Sequence, residues 1–290
     1  MAEAKKIFLN CAGSRTQQAI ARALTPAGHV LHGYGRDLAD TPGLDHSTSG
    51  SLLDGDALAV AMAGADVAIH VAPALQDKEV AMGQFAIDAA RRAGVGHFVY
   101  ISVIHPQIDY LMNHRAKLAV EDYLIGSGLA YTILRPMHYF QNLDVRGARE
   151  HGRIDLTYAI DRPLGFVDME DVAAVAAKVV NGGTHHHYAC YDLCSADHLT
   201  GVEIAETLTV LVGRPIAAHR IPLPDIIAIL TPYLAFDPAR PEWTAGAIER
   251  LFSYYDRFGL RGSPNQLAWL LGRAPADLAD FARREIDIDD

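Results

Sequence analysis

The sequence predicts an α/β fold in which a doubly wound parallel sheet carries a smaller, mostly helical C-terminal region as a cap. Three observations support this fold class. Short apolar runs alternate with helical patterns in the first half of the chain, small and polar residues follow the first run, and the last third consists of helical segments punctuated by prolines. Apolar runs joined by helices are typical of a parallel sheet that is covered on both faces.

Five apolar runs are the predicted strands of the first half, at residues 7–9, 30–31, 67–71, 98–101 and 131–134. Helices are predicted between them because apolar residues recur at helical spacing, notably over 78–93 and 112–126. The first helix ends at Pro26 and Gly28, and Asp54 can cap the second one. Numbered along the chain, the strands are expected in the sheet order 3-2-1-4-5, continued by later strands.

The sequence pattern in the second half of the chain predicts where the core domain ends and the cap begins. An alanine-rich helix runs up to Val180, and a strand follows near 188–193. After residue 200 the pattern is helical, over 202–212, 223–234, 244–258 and the last 25 residues. We therefore expect a core domain at residues 1–155, joined by strands from 156–195, and a mainly helical cap at 196–290.

Composition and charge exclude several classes of protein. The 290 residues include 25 Lys and Arg against 35 Asp and Glu, which gives a net charge of −10. Such a chain lacks the basic face that nucleic-acid binding needs, so no nucleic-acid partner is expected. Three cysteines do not suggest a disulfide framework, and no secretory pattern or membrane-length apolar run is present. A cytoplasmic location without a membrane partner is expected.

The predicted sheet also locates a ligand site. Open α/β sheets bind ligands at the carboxyl ends of their strands, beside the point where the strand order reverses. The segments expected at this crevice are residues 10–17, 34–37, 71–75, 102–110 and 135–142.

Five stretches share their order and spacing with one known family. They are residues 7–37, 89–95 leading into 98–102, 113–117 followed by 120–121, 131–136 continuing to 140–142, and 254–257 through 270–273. Together they resemble the NmrA-like branch of the atypical short-chain dehydrogenases/reductases. The resemblance implies a Rossmann-like core of dinucleotide-binding type. It also implies an NAD(P)H-dependent oxidoreductase that acts on a small, largely apolar carbonyl or enone.

The loop after the first strand departs from the family pattern Gly-x-x-Gly-x-x-Gly. The three glycine positions fall at Cys11, Ser14 and Gln17, and only Gly13 lies nearby. Gln17 is large and is expected where a diphosphate and the helix approach most closely. The loop either still holds phosphate through the helix N-terminus and its polar side chains, or it is a relic with weak or lost cofactor binding.

Arg36 indicates which dinucleotide is favoured. It matches the basic residue after strand two that meets the adenosine 2′-phosphate in this family, so NADP (NADPH) is expected over NAD, unless Arg36 is only a solvated surface residue. The residues expected to bind the cofactor are Gly13, Ser14, Arg15, Thr16, Arg36, Val71, Ala72, Pro73, Ser102, Lys117 and Pro136.

The reactive centre is the second departure. Typical members carry Tyr-x-x-x-Lys on the helix after strand four, where the tyrosine moves the proton that accompanies hydride transfer. Lys117 is present here, but Asn113 stands at the tyrosine position. Lys117 is left to bind ribose hydroxyls, to act as the acid itself, or to be structural. His114 lies on much the same helix face and is either catalytic or a surface histidine.

Strand ends supply further candidates. His105 and Tyr110 are expected in catalytic and substrate-binding roles, and His138 and Phe140 in substrate binding, although packing explains any one of them equally well. No metal is expected at residues 185–187, because adjacent histidines point in different directions and no acidic or cysteine partner has ligand spacing.

Three functions stay open at this stage. The first is the NADPH-dependent reductase, the second a non-catalytic dinucleotide sensor that regulates a protein partner, and the third a non-redox isomerase or lyase that uses the old substrate pocket. The missing tyrosine weakens the first, and the missing glycines weaken the first two. Besides a small-molecule substrate, a homodimer or a regulatory protein partner stays open.

Overall fold

The computed structural model describes residues 4–38 and 41–287 and divides them into two compact units. Unit 1 comprises Met1–Asp109, Asn113–Arg135 and Val172–Tyr191. Unit 2 comprises Tyr110–Met112, Pro136–Asp171 and Asp192–Asp290. Residues 136–155, which the sequence assigned to the core domain, belong to unit 2, whereas residues 172–191 belong to unit 1. The domain boundaries at 155 and 195 stay a prediction.

The secondary structure alternates strands and helices through the first half of the chain. The strands are β1 (Lys6–Asn10), β2 (Val30–Gly35), β3 (His46–Ser49), β4 (Val67–Val71), β5 (His97–Ile101), β6 (Tyr131–Pro136), β7 (His138–Tyr139), β8 (Arg153–Leu156), β9 (Leu164–Val167), β10 (Ala189–Leu193), β11 (His198–Leu199) and β12 (Ala217–Arg220). The helices are α1 (Arg15–Leu24), α2 (Gly55–Ala61), α3 (Glu79–Ala93), α4 (Met112–Ile125), α5 (Val145–His151), α6 (Met169–Gly182), α7 (Gly201–Val212), α8 (Leu223–Leu234), α9 (Glu242–Phe258), α10 (Asn265–Leu271) and α11 (Leu278–Asp287).

A seven-stranded sheet in the order β10-β6-β5-β4-β1-β2-β3 forms the centre of unit 1. The pairings from β3 through β6 are all parallel. The predicted α/β, Rossmann-like fold class is thus confirmed. The predicted strand order is wrong, because it places the run 67–71 at the far side of β2. That run is β4, and it pairs directly with β1, with Phe8 opposite Ala68.

The error has a physical cause in β3. This strand consists of His46, Ser47, Thr48 and Ser49, all exposed at the edge of the sheet. It carries no apolar residue, so hydrophobic periodicity gave no sign of it. It is held by parallel pairing with β2 and by a hydrogen bond between His32 Nε2 and Thr48 Oγ1 at 2.8 Å. With β3 counted, the chain has the doubly wound order that reverses beside β1.

One face of the sheet packs against α2, α3 and α4 through a continuous apolar cluster. Helices α3 and α4 approach closely at Gly83, where an added Cβ would lie 2.6 Å from the side chain of Val120. Only a residue without a side chain fits at this point of contact.

Unit 2 contains two small sheets, of order β11-β9-β7 and β12-β8, together with the C-terminal helices. The predicted helices 202–212, 223–234 and 244–258 correspond to α7, α8 and α9, with ends that agree within two residues. Among the described residues, no helix has both the length and the apolar character needed to cross a bilayer.

Candidate functional site

The turn between β1 and α1 presents the start of a helix at the carboxyl edge of the unit 1 sheet. Ser14 caps α1, and its hydroxyl accepts a hydrogen bond from the backbone N–H of Gln17 at 3.3 Å. Gly13 and Arg15 are exposed, and Thr16 is half-buried. A Cβ on Gly13 would be in ordinary van der Waals contact with the Asp37 backbone oxygen and the Leu38 side chain, each at 3.6 Å, so this position packs against the segment that follows β2. The backbone N–H groups of a first helical turn fit a diphosphate.

Gln17 does not occupy the space that its position in the sequence predicted. Its side chain is fully buried, and its Nε2 donates to the backbone carbonyls of Asn10 at 2.9 Å and Ile69 at 2.8 Å. The amide therefore ties α1 to the last residue of β1 and to the middle of β4. The prediction that its bulk obstructs a diphosphate is wrong, because the side chain turns inward to two carbonyls that need donors.

Strained backbone marks the same edge. Three non-glycine residues have left-handed backbone conformations there: Cys11 with φ 48°, Leu75 with φ 54° and His105 with φ 50°. They follow β1, β4 and β5, which are neighbours in the sheet. Such conformations cost about 1–3 kcal/mol each and cluster at ligand sites, where the surrounding structure holds them in place.

Two predicted cofactor residues act electrostatically on Cys11. Burial raises the pKa of the Cys11 thiol to about 11, while the positive charges of Arg36 and Lys117 oppose that shift. Arg36 itself is exposed just after β2. The β1 loop therefore lies within reach of two cations, as an anionic ligand requires.

Asn10 fixes the end of β4 beside this loop. Its Oδ1 accepts from the backbone N–H of Val71 at 2.7 Å, and its Nδ2 donates to the Val71 carbonyl at 3.1 Å. The same Nδ2 lies 3.0 Å from Nδ1 of His70, which must then be the acceptor. The proton of His70 is therefore on Nε2, a buried atom without a partner among the described residues. Of the next two residues, Ala72 is buried and Pro73 half-buried.

Lys117 and Glu79 form a buried ion pair between α4 and α3. Lys117 Nζ lies 2.6 Å from Glu79 Oε1, with 13% of the Lys117 side chain and 0% of the Glu79 side chain exposed. Burial raises the pKa of Glu79, and the nearby Lys117 ammonium opposes the shift. The ammonium also lies 5.7 Å from the centre of the Tyr100 ring. Lys117 was predicted from the sequence as a site residue, whereas Glu79 was not, because the two are 38 positions apart along the chain.

His114 is buried and has a fixed tautomer. Its Nδ1 lies 3.0 Å from the backbone carbonyl of His105, so Nδ1 must carry the proton and donate it. Its Nε2 is then a buried acceptor without a described partner, as is Oδ1 of Asn113. Burial lowers the pKa of His114 to about 4, so the imidazole is neutral near pH 7. It is not the surface histidine considered above.

Ser102 directly follows β5, and its hydroxyl donates to Glu121 Oε1 at 2.5 Å. Arg135 donates to both oxygens of the same carboxylate, from Nε at 3.0 Å and from Nη2 at 2.6 Å. Glu121 is therefore fully satisfied although it is almost completely buried.

Unit 2 holds the other group of predicted residues. The half-buried ring of His138 is approached edge-on by three aromatic rings, those of Tyr158 at 6.0 Å, Phe166 at 5.6 Å and Tyr255 at 6.0 Å between centroids. Burial lowers the pKa of His138 to about 4 and raises that of Tyr158. The Tyr158 hydroxyl is buried without a partner among the described residues. Nothing in the sequence pattern pointed to Tyr158.

Three predicted residues of unit 2 have structural surroundings. Phe140 is fully buried and stacks on Phe166 at 5.1 Å and on Phe281 at 5.6 Å, so its ring is a core element and not open to a substrate. Tyr110 is half exposed, and the Arg250 guanidinium lies 5.6 Å from its ring centre. Pro136 is the buried last residue of β6.

Two of the histidines at 185–187 have the neighbours expected of structural residues. His187 packs against His97 at 4.5 Å between ring centroids, and His186 Nδ1 lies 3.0 Å from the Tyr191 hydroxyl. Within residues 4–38 and 41–287, no group of three or more His, Cys, Asp or Glu side chains is arranged to hold a metal ion.

The chain has relatives across nearly its full length. Residues 12–282 match the family model described as the NmrA-like family. The NAD(P)H azoreductase of Xenophilus azovorans is 28% identical over 240 residues, which cover 82% of this chain and 81% of that protein.

Solved structures share the fold. The NADPH-dependent quinone oxidoreductase of Escherichia coli, complexed with NADPH, matches with a TM-score of 0.77 at 22% identity, covering 97% of this chain and 100% of that one. NmrA, a negative transcriptional regulator, in complex with NADP, matches with a TM-score of 0.74 at 19% identity, covering 99% and 96%. At these identities the structural matches establish the fold alone.

Proposed function

The chain belongs to the NmrA-like family, and from this premise we propose that it is an NAD(P)H-dependent oxidoreductase, with NADPH favoured, that reduces a small, largely apolar carbonyl or enone. Two relatives that are named as reductases support the proposal: one is named for the cofactor NAD(P)H and for azo compounds, and the other for quinones. A quinone is a conjugated dicarbonyl and so falls within the proposed substrate class.

The observation that carries the proposal is the carboxyl edge of the unit 1 sheet. Left-handed residues follow three neighbouring strands, at Cys11, Leu75 and His105. The start of α1, which Ser14 caps, lies at the same edge, and the charges of Arg36 and Lys117 act on Cys11 there. A dinucleotide is a long polyanion that needs a shaped backbone, helix N–H groups and positive charge along one edge.

Each predicted cofactor residue then has a role. Arg36 would meet the 2′-phosphate, and Lys117 the ribose hydroxyls. The α1 turn would hold the diphosphate through its backbone N–H groups, and the neighbouring strand ends would line the dinucleotide. These contributors are Gly13, Ser14, Arg15, Thr16, Val71, Ala72, Pro73, Ser102 and Pro136.

The bound nicotinamide would supply hydride, and the chain or water must supply the accompanying proton. Asn113 carries no ionisable hydroxyl. The lowered pKa values of His114 and His138, both about 4, leave these imidazoles neutral near pH 7. Neither is therefore present as an imidazolium that could donate the proton. In our proposal the Lys117 ammonium stabilises the site electrostatically and solvent completes the proton transfer, with His105 and Tyr110 as the reserve donors.

Binding of NADPH, NADP and NADH to the purified chain, measured by calorimetry, tests the cofactor half of the proposal. NADPH oxidation at 340 nm with a small quinone or enone tests the chemistry. Binding with turnover supports the reductase. Tight binding without turnover on a panel of such acceptors would favour the dinucleotide sensor, and no binding at all would leave the non-redox isomerase or lyase.

A further inference from the structure

Glu79 is buried in a way that a purely structural carboxylate would not need. It is the first residue of α3 and is completely inaccessible to solvent. One oxygen contacts Lys117, and Oε2 has no partner among the described residues. Removing a carboxylate from water is costly, and a half-satisfied one recovers only part of that cost. Stability alone therefore does not explain this side chain.

The surroundings of the pair contain further unsatisfied polar atoms. The Tyr100 hydroxyl and Nε2–H of His70 are buried without described partners, and the two rings lie 5.6 Å apart between centroids. The Glu79 charge acts on the Tyr100 hydroxyl, and the Lys117 charge acts on His70. A small polar region that combines donors and an acceptor is typical of a site with bound water or ligand.

We propose that Glu79 is the positioning residue for the cofactor site: its carboxylate pairs with the Lys117 ammonium and orients it, so that the two remaining N–H donors of the ammonium are available to the ribose hydroxyls of a bound nicotinamide dinucleotide. This inference rests on the proposed function. It makes Lys117 a fixed cation whose counterion lies 38 residues earlier in the chain.

Glu79 is the carboxylate that is paired with Lys117. The other buried carboxylate nearby, Glu121 on the same helix, also acts on Tyr100 but is itself paired with Arg135. The groups in electrostatic contact with the pair come from each neighbouring element: Cys11 after β1, His70 on β4, Tyr100 on β5 and His114 on α4. Burial raises the pKa of Cys11 and Tyr100 and lowers that of the two histidines, so all four are neutral near pH 7. An ammonium with low exposure and no counterion gives up its proton more readily as the pH rises.

The first test measures the NADPH dissociation constant at about pH 7 and about pH 9 for the wild type and Glu79→Gln. We expect a nearly constant value for the wild type, and about tenfold weaker binding at the higher pH for the variant, because a charge-assisted contact is lost. Glu121→Gln is the matched control. Its carboxylate is equally buried, but its cation, Arg135, cannot lose its proton in this range. Equal pH dependence in Glu79→Gln and the wild type would overturn the proposal.

The second test needs no cofactor. Acetic anhydride acylates neutral amines, so Lys117 should be labelled about tenfold faster in Glu79→Gln than in the wild type near pH 8, with Lys78 as the internal reference in the same mass spectrum. Unchanged Lys117 labelling in a folded variant would refute the counterion role. If the wild type binds no dinucleotide while Lys117 labelling still differs between Glu79→Gln and the wild type, the proposed function and the ribose contact are refuted. The counterion role of Glu79 would then stand.

Discussion

Two buried carboxylates of unit 1 differ in how completely they are satisfied. Glu121 accepts from Ser102 and from two nitrogens of Arg135, and both of its oxygens are used. Glu79 meets one ammonium and leaves Oε2 without a described partner. A planar guanidinium matches a carboxylate in two places, whereas an ammonium is a point charge with donors to spare. The first site is thus complete in itself, and the second is built to receive something more.

Stability measurements should separate the two carboxylates most strongly. Arg135→Met leaves Glu121 buried and unpaired, and it should reduce the free energy of unfolding by about 3–5 kcal/mol. Lys117→Met should cost clearly less, because the pKa of Glu79 is already raised by burial and its carboxyl can take up a proton. Urea unfolding curves of both variants give the comparison, and equal losses would show that both pairs are structural.

Activity should respond in the opposite sense. Lys117→Ala should lower NADPH-dependent turnover of a small quinone by roughly 10²–10³-fold, as expected when the ammonium that stabilises the site electrostatically is lost. Asn113→Ala on the same helix should have a much smaller effect. Steady-state rates of proteins with wild-type circular dichroism test the contrast. Wild-type turnover by Lys117→Ala would shift the assignment to the histidines and towards the non-redox function.

Arg36 extends the comparison to an exposed cation. Arg36→Ala should lose about 1–3 kcal/mol of NADPH affinity, which is typical of a charge-assisted contact to phosphate, and should leave NADH affinity unchanged. Calorimetric titration with both dinucleotides decides this. An equal loss for NADPH and NADH would assign Arg36 to general charge attraction.

The buried amide of Gln17 is satisfied at one atom and unsatisfied at the other: Nε2 has two hydrogen-bond partners, and Oε1 has none among the described residues. Gln17→Gly should cost about 1–3 kcal/mol of stability for the lost contacts, in addition to the helix penalty of glycine. Gln18→Gly at the next position isolates that penalty. Thermal unfolding and NADPH titration of the pair give both quantities, and a gain in affinity for Gln17→Gly would restore the steric interpretation.

The sequence alone predicted those strands and helices whose own residues show an apolar pattern. The strand at 67–71 and the helix at 223–234 were predicted because their apolar pattern is local. The polar edge strand β3 lacks such a pattern and was missed, and with it the strand order. The location of Ser102 directly after a strand was also predicted, because the residue follows the apolar run 98–101.

The partners of the site residues could not be predicted in the same way. Glu79 looks like an ordinary acidic residue at a helix start, and only the packing of α3 on α4 brings it to Lys117. The inward turn of Gln17 depends on the backbone carbonyls of Asn10 and Ile69, which no local pattern reveals as its partners. The order of strands and helices along the chain predicted where the candidate site lies. The roles of its side chains depend on tertiary contacts.

Gly83 faces Val120 one helical turn beyond the Glu79–Lys117 pair, at a close approach of α3 and α4. The distance between ammonium and carboxylate is therefore governed by the spacing of two helices, and that spacing by a missing methyl group. A substitution at Gly83 would alter the charge arrangement of the site without touching any ligand. In a mutational screen read by activity alone, this packing position would be mistaken for part of the catalytic apparatus.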